Sequence, residues 1–212
     1  MDLNEILNVL INDIHTVVLA TTNKENQPVT TALDLMLTEN QKIYFLTARG
    51  KNLFARLHHT QCISLTGLIK ENNMCRKSIS ITGKIKNIGQ EKLDLIFEKN
   101  SYMNEIYPNV KARNVLQVFE IYEYQGEYFD LNQQQIYRKS FSFGKIIENY
   151  EYVAGQMCIY CKACSRVCPQ KCIDISSKPV KIDTSHCLKC GKCAEICPRR
   201  AIKMVKVEKR NV

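Results

Sequence analysis

No stretch of the 212 residues approaches the ~18 consecutive apolar residues that a membrane-crossing helix needs. The chain opens on MDLNEILNVLIND, which is acidic and amphipathic. It has no cationic region ahead of an apolar core and no Ala-x-Ala site, so a secretory signal is not expected and the cytoplasm is the expected compartment. No G-x-G-x-x-G follows a strand-like run, which excludes a dedicated dinucleotide-binding domain. No histidine–carboxylate array stands out. His58 and His59 are adjacent on a helical stretch and diverge, His15 ends the first helical stretch, and His186 abuts a cysteine. No catalytic acid or base is assigned, and the catalytic residues stay unknown.

What is present is a globular composition. Hydrophobic residues make up 45% and charged residues 24%, against usual values of about 45–50% and about 25%. Such a chain is not disordered and is long enough to bury a core in one or two domains. Its charge is uneven. From Arg138 onward there are 16 Lys+Arg against 6 Asp+Glu, net +10; the preceding residues hold 14 against 15, net −1. A basic surface suits nucleic acid, an anionic membrane or an acidic protein. Here the cations are interspersed with cysteines and lack interleaved aromatics on which bases would stack. The expected partner is an acidic protein, with no nucleic acid and no membrane.

Nine of the eleven cysteines lie between 158 and 197, in CIYCKACSRVCPQKC (158–172) and CLKCGKCAEICPRRA (187–201). The odd total and the repeated spacing argue against disulfides. The spacing is C-x2-C-x2-C-x3-C-P, twice, which is the bacterial signature for [4Fe–4S] ligation. Three cysteines wind around one cube, and the fourth ligates the cube of the other copy. One cluster is therefore expected on Cys158, Cys161, Cys164 and Cys197, the other on Cys187, Cys190, Cys193 and Cys168. Pro169 and Pro198 suit the first helical position, where a missing N–H costs nothing. Cys172 is expected as a buried small hydrophobe, and Cys62 and Cys75 are expected to pack. Residues 150–205 resemble a bacterial 2[4Fe–4S] ferredoxin domain, with Ile173 and Ile202 in matched positions beside the cubes.

The first 140 residues read mainly as β-structure. Leu3, Ile6, Leu7, Leu10, Ile11 and Ile14 keep the helical spacing over 3–14, with a capping pattern at Asp2 and Glu5. Strand-like runs follow at 16–22, 29–38, 42–48, 61–69 and 77–88, with short helices over 51–59 and 90–100. VLQVFEIYEYQ (115–125) and EYFDL (127–131) read as a strand pair around Gly126. Some six strands with few helices predict a small antiparallel barrel, followed by a small α+β unit. The expected division is 1–137 for the barrel domain, 138–152 for a linker that packs on the barrel, and 153–212 for the cluster domain.

FLTARGKNL (45–53) is a sensible phosphate site. A strand ends at Thr47, Arg49 and Lys51 supply charge, and a helix begins near Asn52. The stretch 17–67, SISITGKIKNI and VFEIYEYQGEYFDL together resemble the pyridoxamine 5′-phosphate oxidase-like, FMN-binding split-barrel family over residues 5–135. That resemblance implies a homodimer with FMN between two barrels. It implies Thr47, Arg49 and Lys51 at the FMN phosphate, with Thr30, Thr31 and Ala32 beside the isoalloxazine and ribityl chain. Family members often carry a basic residue near position 31, where this chain has Thr. Some relatives bind haem or deazaflavin instead.

The two halves together suggest an oxidoreductase. Single electrons would pass through the clusters to FMN, which would reduce a small organic acceptor, with an acidic ferredoxin or flavodoxin as donor. The alternative is an electron-transfer or redox-sensing module with no substrate of its own.

Overall fold

The structure is a computed structural model that describes residues 1–71, 74–131, 135–145 and 147–209. The chain begins with the expected helix. The Asp2 side chain accepts the Glu5 N–H at 2.8 Å and the Glu5 carboxylate accepts the Asp2 N–H at 2.5 Å, a closed capping box. Helix α1 (Leu3–Asn8) widens into a π-helical turn over Val9–Ile14. Its apolar stripe, Ile6, Leu7, Leu10 and Ile14, is buried in the barrel core.

Six antiparallel strands follow: β1 (Thr16–Thr22), β2 (Pro28–Glu39), β3 (Lys42–Ala48), β4 (Cys62–Glu71), β5 (Met74–Asn87) and β6 (Leu116–Asp130). They pair in the order β3-β2-β1-β4-β5-β6, and β6 pairs back onto β3 to close the barrel. Alternation sends Val17 and Leu19 of β1, Ile63 and Leu65 of β4, and Ile79 and Ile81 of β5 inward. Each such side chain contributes about 1.5–3 kcal/mol of burial. A second core lies outside β2, β3 and β6. There Leu93, Ile96 and Phe97 of α3 (Leu93–Lys99) and Met103 of α4 (Met103–Ile106) cover Met36, Tyr44, Leu116 and Val118.

The strand pair expected around Gly126 is instead one continuous strand, and Gly126 sits within it. Residues 116–121 of β6 pair with β3, while 124–130 pair with β7 (Tyr137–Phe143). Glycine is needed there for closeness and not for a turn: an added Cβ would strike the Phe141 ring and lie 2.5 Å from the Ser80 carbonyl oxygen.

The C-terminal unit is framed by β8 (Ile147–Ala154) and β11 (Ile202–Lys209), joined in an antiparallel ladder of eight residue pairs. Between them lie the cysteine loops, two short helices, α6 (Ala163–Val167) and α7 (Lys192–Glu195), and a two-residue hairpin, β9 (Ile173–Asp174) with β10 (Lys181–Ile182). Ala154, Ile173, Val180 and Ile202 form its small core together with the buried Cys164 and Cys193. Residues 138–152 thus carry most of β7 and much of β8.

The unit is tied to the barrel. Gln170 accepts twice: its carbonyl from the Gln135 side chain at 2.7 Å and its side chain from the Ile136 N–H at 3.0 Å. The Arg138 N–H donates to the Ser185 carbonyl at 2.8 Å, and His186 Nδ1 meets the Ile136 carbonyl at 2.7 Å. Among the described residues no helix is long and apolar enough to cross a membrane.

Candidate functional site

The residues expected at a phosphate, Thr47, Arg49, Lys51 and Asn52, come together where β3 leaves the barrel. Thr47 is the last inward-facing residue of β3, and its Oγ1 is buried with no hydrogen-bond partner among the described residues. The chain then turns through Arg49 and Gly50 into α2 (Asn52–His59), with Lys51 at the N-cap and no side chain capping the exposed N–H groups. Arg49, Lys51 and Asn52 are exposed. The Arg49 N–H donates to the Val115 carbonyl at 2.9 Å and its guanidinium to the Asn114 carbonyl at 2.7 Å, which pins the loop to the start of β6. An orphaned hydroxyl, an uncapped helix start and two cations form a donor set that fits a phosphate dianion.

Strand β2 places Thr30 and Ala32 on its exposed outer face and Thr31 half-buried between them. Arg56, which the sequence reading missed, reaches Thr31 from α2. Its Nη2 donates to Thr31 Oγ1 and its Nε to Thr21 Oγ1, both at 2.8 Å. A guanidinium thus stands beside position 31, where family members often have a basic residue of their own. The available signal was helical spacing, since Arg56 falls four residues after Asn52 and shares its face.

A second group went unseen because its members are far apart in sequence. Tyr102 donates to Asp34 Oδ2 at 2.9 Å, Thr16 donates to Asp34 Oδ1 at 2.6 Å, and His15 Nε2 lies 3.3 Å from the Tyr102 hydroxyl. Burial, then the hydrogen bond to Asp34, pushes the Tyr102 hydroxyl up to about 12. Asp34 lies two residues past Ala32 on β2, so this cluster borders the strand expected beside a flavin.

In the C-terminal unit the second block meets one cysteine of the first. Cys187, Cys190, Cys193 and Cys168 line a single cavity with Tyr152 and Ile173. Cys172 borders it too, buried, with its sulfur 3.5 Å from that of Cys168. Hydrogen bonds link Cys197 to the first block. The Ala201 N–H donates to Cys197 Sγ at 3.3 Å, the Gly155 N–H to the Ala201 carbonyl at 2.8 Å, and the Cys158 N–H to the Gly155 carbonyl at 3.1 Å.

The donors suit thiolate ligation. Burial would raise the Cys197 thiol, but surrounding N–H groups, led by that of Ala201, outweigh it and hold the thiol below its usual value. The Lys189 N–H donates to Cys187 Sγ at 3.3 Å. Burial pushes the Cys193 thiol up to about 11 and raises that of Cys164, so binding a cationic group there must release protons. Among the described residues no three His, Cys, Asp or Glu side chains are close enough to hold a single metal ion. A closed zinc site would draw four thiolates to about 2.3 Å from one ion. Cys62 and Cys75, expected to pack, are both exposed.

The family model described as pyridoxamine 5′-phosphate oxidase matches residues 3–130, and one described as a 4Fe-4S dicluster domain matches residues 157–201. Among solved structures, a NimC/NimA family protein from Clostridium acetobutylicum is 19% identical, with 66% of this chain and 92% of that one covered and a TM-score of 0.55. A pyridoxamine 5′-phosphate oxidase-related, FMN binding protein from Nostoc punctiforme is 11% identical over 68% of this chain and 91% of that one, with a TM-score of 0.42. No curated protein matches the chain.

Proposed function

The chain belongs to the pyridoxamine 5′-phosphate oxidase family, and from that premise we propose that it is an FMN- and iron–sulfur-dependent oxidoreductase acting on a small organic acceptor. When bound, the cofactors supply the redox chemistry: two [4Fe–4S] clusters relay single electrons and FMN collects them for the acceptor. The residues do the rest. Thr47, Arg49, Lys51 and the start of α2 hold the phosphate, and Arg56 fixes Thr31 while adding positive charge. Thr30, Thr31 and Ala32 line the flavin's long side.

The observation that carries the reading is the cavity in which Cys168 of the first block meets Cys187, Cys190 and Cys193 of the second. Two clusters that exchange their fourth ligand explain that meeting, and Cys158, Cys161, Cys164 and Cys197 make the complementary set. We place the boundary between the two units after β7, so that the β8–β11 ladder belongs wholly to the cluster domain. The outer face of β1, β4 and β5 exposes Val18 and Leu68 among Ser64, Thr66, Ser80 and Thr82. This flat face of small residues is where a second copy would pack to form the homodimer. An acidic ferredoxin or flavodoxin is the electron donor that the basic C-terminal unit suits.

The test compares wild type with Cys164→Ala/Cys193→Ala under anaerobic conditions. The variant is expected to retain flavin that dithionite reduces, while reduction by a reduced flavodoxin ceases. Unchanged reduction by flavodoxin would reject the role of the cysteines. In wild type, turnover of an added nitro compound or quinone is expected. Flavin reduction with no acceptor turned over would favour a transfer or sensing module.

A further inference from the structure

The two expected sets of four cysteines have different surroundings. Among the described residues, the hydrogen bonds and ion pairs that tie the cysteine loops to the barrel and to β8 come from beside Cys168 and Cys187: from Gln170, Ser185, His186 and Lys189. None to the barrel comes from the segments around Cys158, Cys161, Cys164 and Cys197, where the Cys158 N–H and the Ala201 carbonyl bond Gly155, the residue after β8. That end is open. Met157 and Ile159 are each 53% exposed and Ile196 is 46% exposed, a high value for large aliphatic side chains. Cys161 is exposed beside them. In the same two segments, 157–166 and 195–200, Lys162, Arg166, Arg199 and Arg200 are all exposed, and none forms an ion pair among the described residues. Glu195 is the one acid within the two segments 157–166 and 195–200.

We infer that this end of the C-terminal unit is the docking surface for an acidic protein that carries single electrons. The inference rests on the redox reading above and adds where the donor sits. An aliphatic centre with a charged rim is the anatomy of a transient protein interface. A rim of one sign steers a partner of the other and speeds its association. A second copy of this chain would bring the same cations against themselves. Nucleic acid is not matched, because the centre is aliphatic. The one aromatic residue of the two segments, Tyr160, donates its hydroxyl to the Ile175 carbonyl and has Lys162 Nζ 4.9 Å from its ring centroid. No free ring is left there for a base to stack on.

The experiment uses the anaerobically purified holoprotein and oxidised flavodoxin as probe. Affinity is measured by calorimetry at low and high salt, and the contact is mapped by carbodiimide cross-linking between lysines here and carboxylates on the probe. Lys162→Glu/Arg199→Glu is expected to weaken binding on the order of tenfold or more. Lys111→Glu, exposed on α5 (Val110–Arg113) of the barrel unit, is expected to leave it unchanged. Salt is expected to weaken the wild type more than the double variant. Cross-links are expected at Lys162. Equal affinity in the double variant, or cross-links confined to barrel lysines such as Lys111, would overturn the surface. So would an oligonucleotide that displaces the probe and loses its own binding in the double variant. Iron and flavin are assayed in every sample. Should the double variant lose iron, the wild-type cross-link decides. If flavodoxin docks at Lys162 yet never reduces the flavin, the surface stands and the reductase reading falls.

Discussion

A buried hydroxyl without a partner costs about 1–3 kcal/mol, and that of Thr47 at the end of β3 has none among the described residues. A group retained at that cost in the loop proposed to hold a phosphate would have its use in the bound state. Thr47→Val is expected to melt no lower than wild type without flavin and to bind FMN on the order of tenfold more weakly. A lower melting point with FMN affinity unchanged would make Thr47 a packing residue. Tyr102 yields a pH signature. Its hydroxyl is raised to about 12 by burial and by Asp34, above its ordinary value of 10.0. The folded state therefore favours the protonated form. That contribution is fully present below pH 10 and is lost as pH rises toward 12. Tyr102→Phe is expected to flatten the fall in stability across that window in pH-dependent melts; an unchanged slope would place its cause elsewhere. The 4Fe-4S dicluster domain was legible in the two cysteine blocks because their spacing is local. Arg56 with Thr21 and Thr31, and Tyr102 with Asp34 and His15, were not, because each group is assembled only by strand pairing and helix docking.

At the scale of elements, alternation identified β1 to β5 and the helical stripe of 3–14, since period 2 and period 3.6 are written directly in the apolar positions. The π-helical widening at Val9–Ile14 has no such signature. Gly126 misled because glycine also marks turns. In β6 it serves close approach, with β5 on one side and the Phe141 ring of β7 over its face. Gly126→Ala is expected to lower stability by about 1–3 kcal/mol through overpacking. Gly50→Ala, where an added Cβ meets nothing within 4 Å, is expected to be close to neutral. Equal melting points for the two variants would contradict the continuous strand.

At the scale of the molecule, the charge asymmetry and the two cysteine blocks announced two functional halves, but the way they join was not readable. Gln170 and His186 become junction residues only because Ile136, just before β7, lies beside the loops that carry Cys168 and Cys187. A polar crevice of about 260 Å³ remains between the halves, lined by Arg138, Ser140, Asn149, Ser185 and Lys189. The join sets Cys168 and Cys187 toward the barrel and leaves Cys158, Cys161, Cys164 and Cys197 without such ties among the described residues, which gives the molecule a direction. The most direct test of the account is a visible spectrum of protein purified without oxygen, with iron, sulfide and released flavin quantified on the same sample. The expected result is about eight irons and one FMN per chain, with both chromophores bleaching under a low-potential reductant. About eight irons without flavin would contradict the reductase and leave an electron-transfer or sensing module. Flavin with no more than a trace of iron would contradict the paired cluster sites.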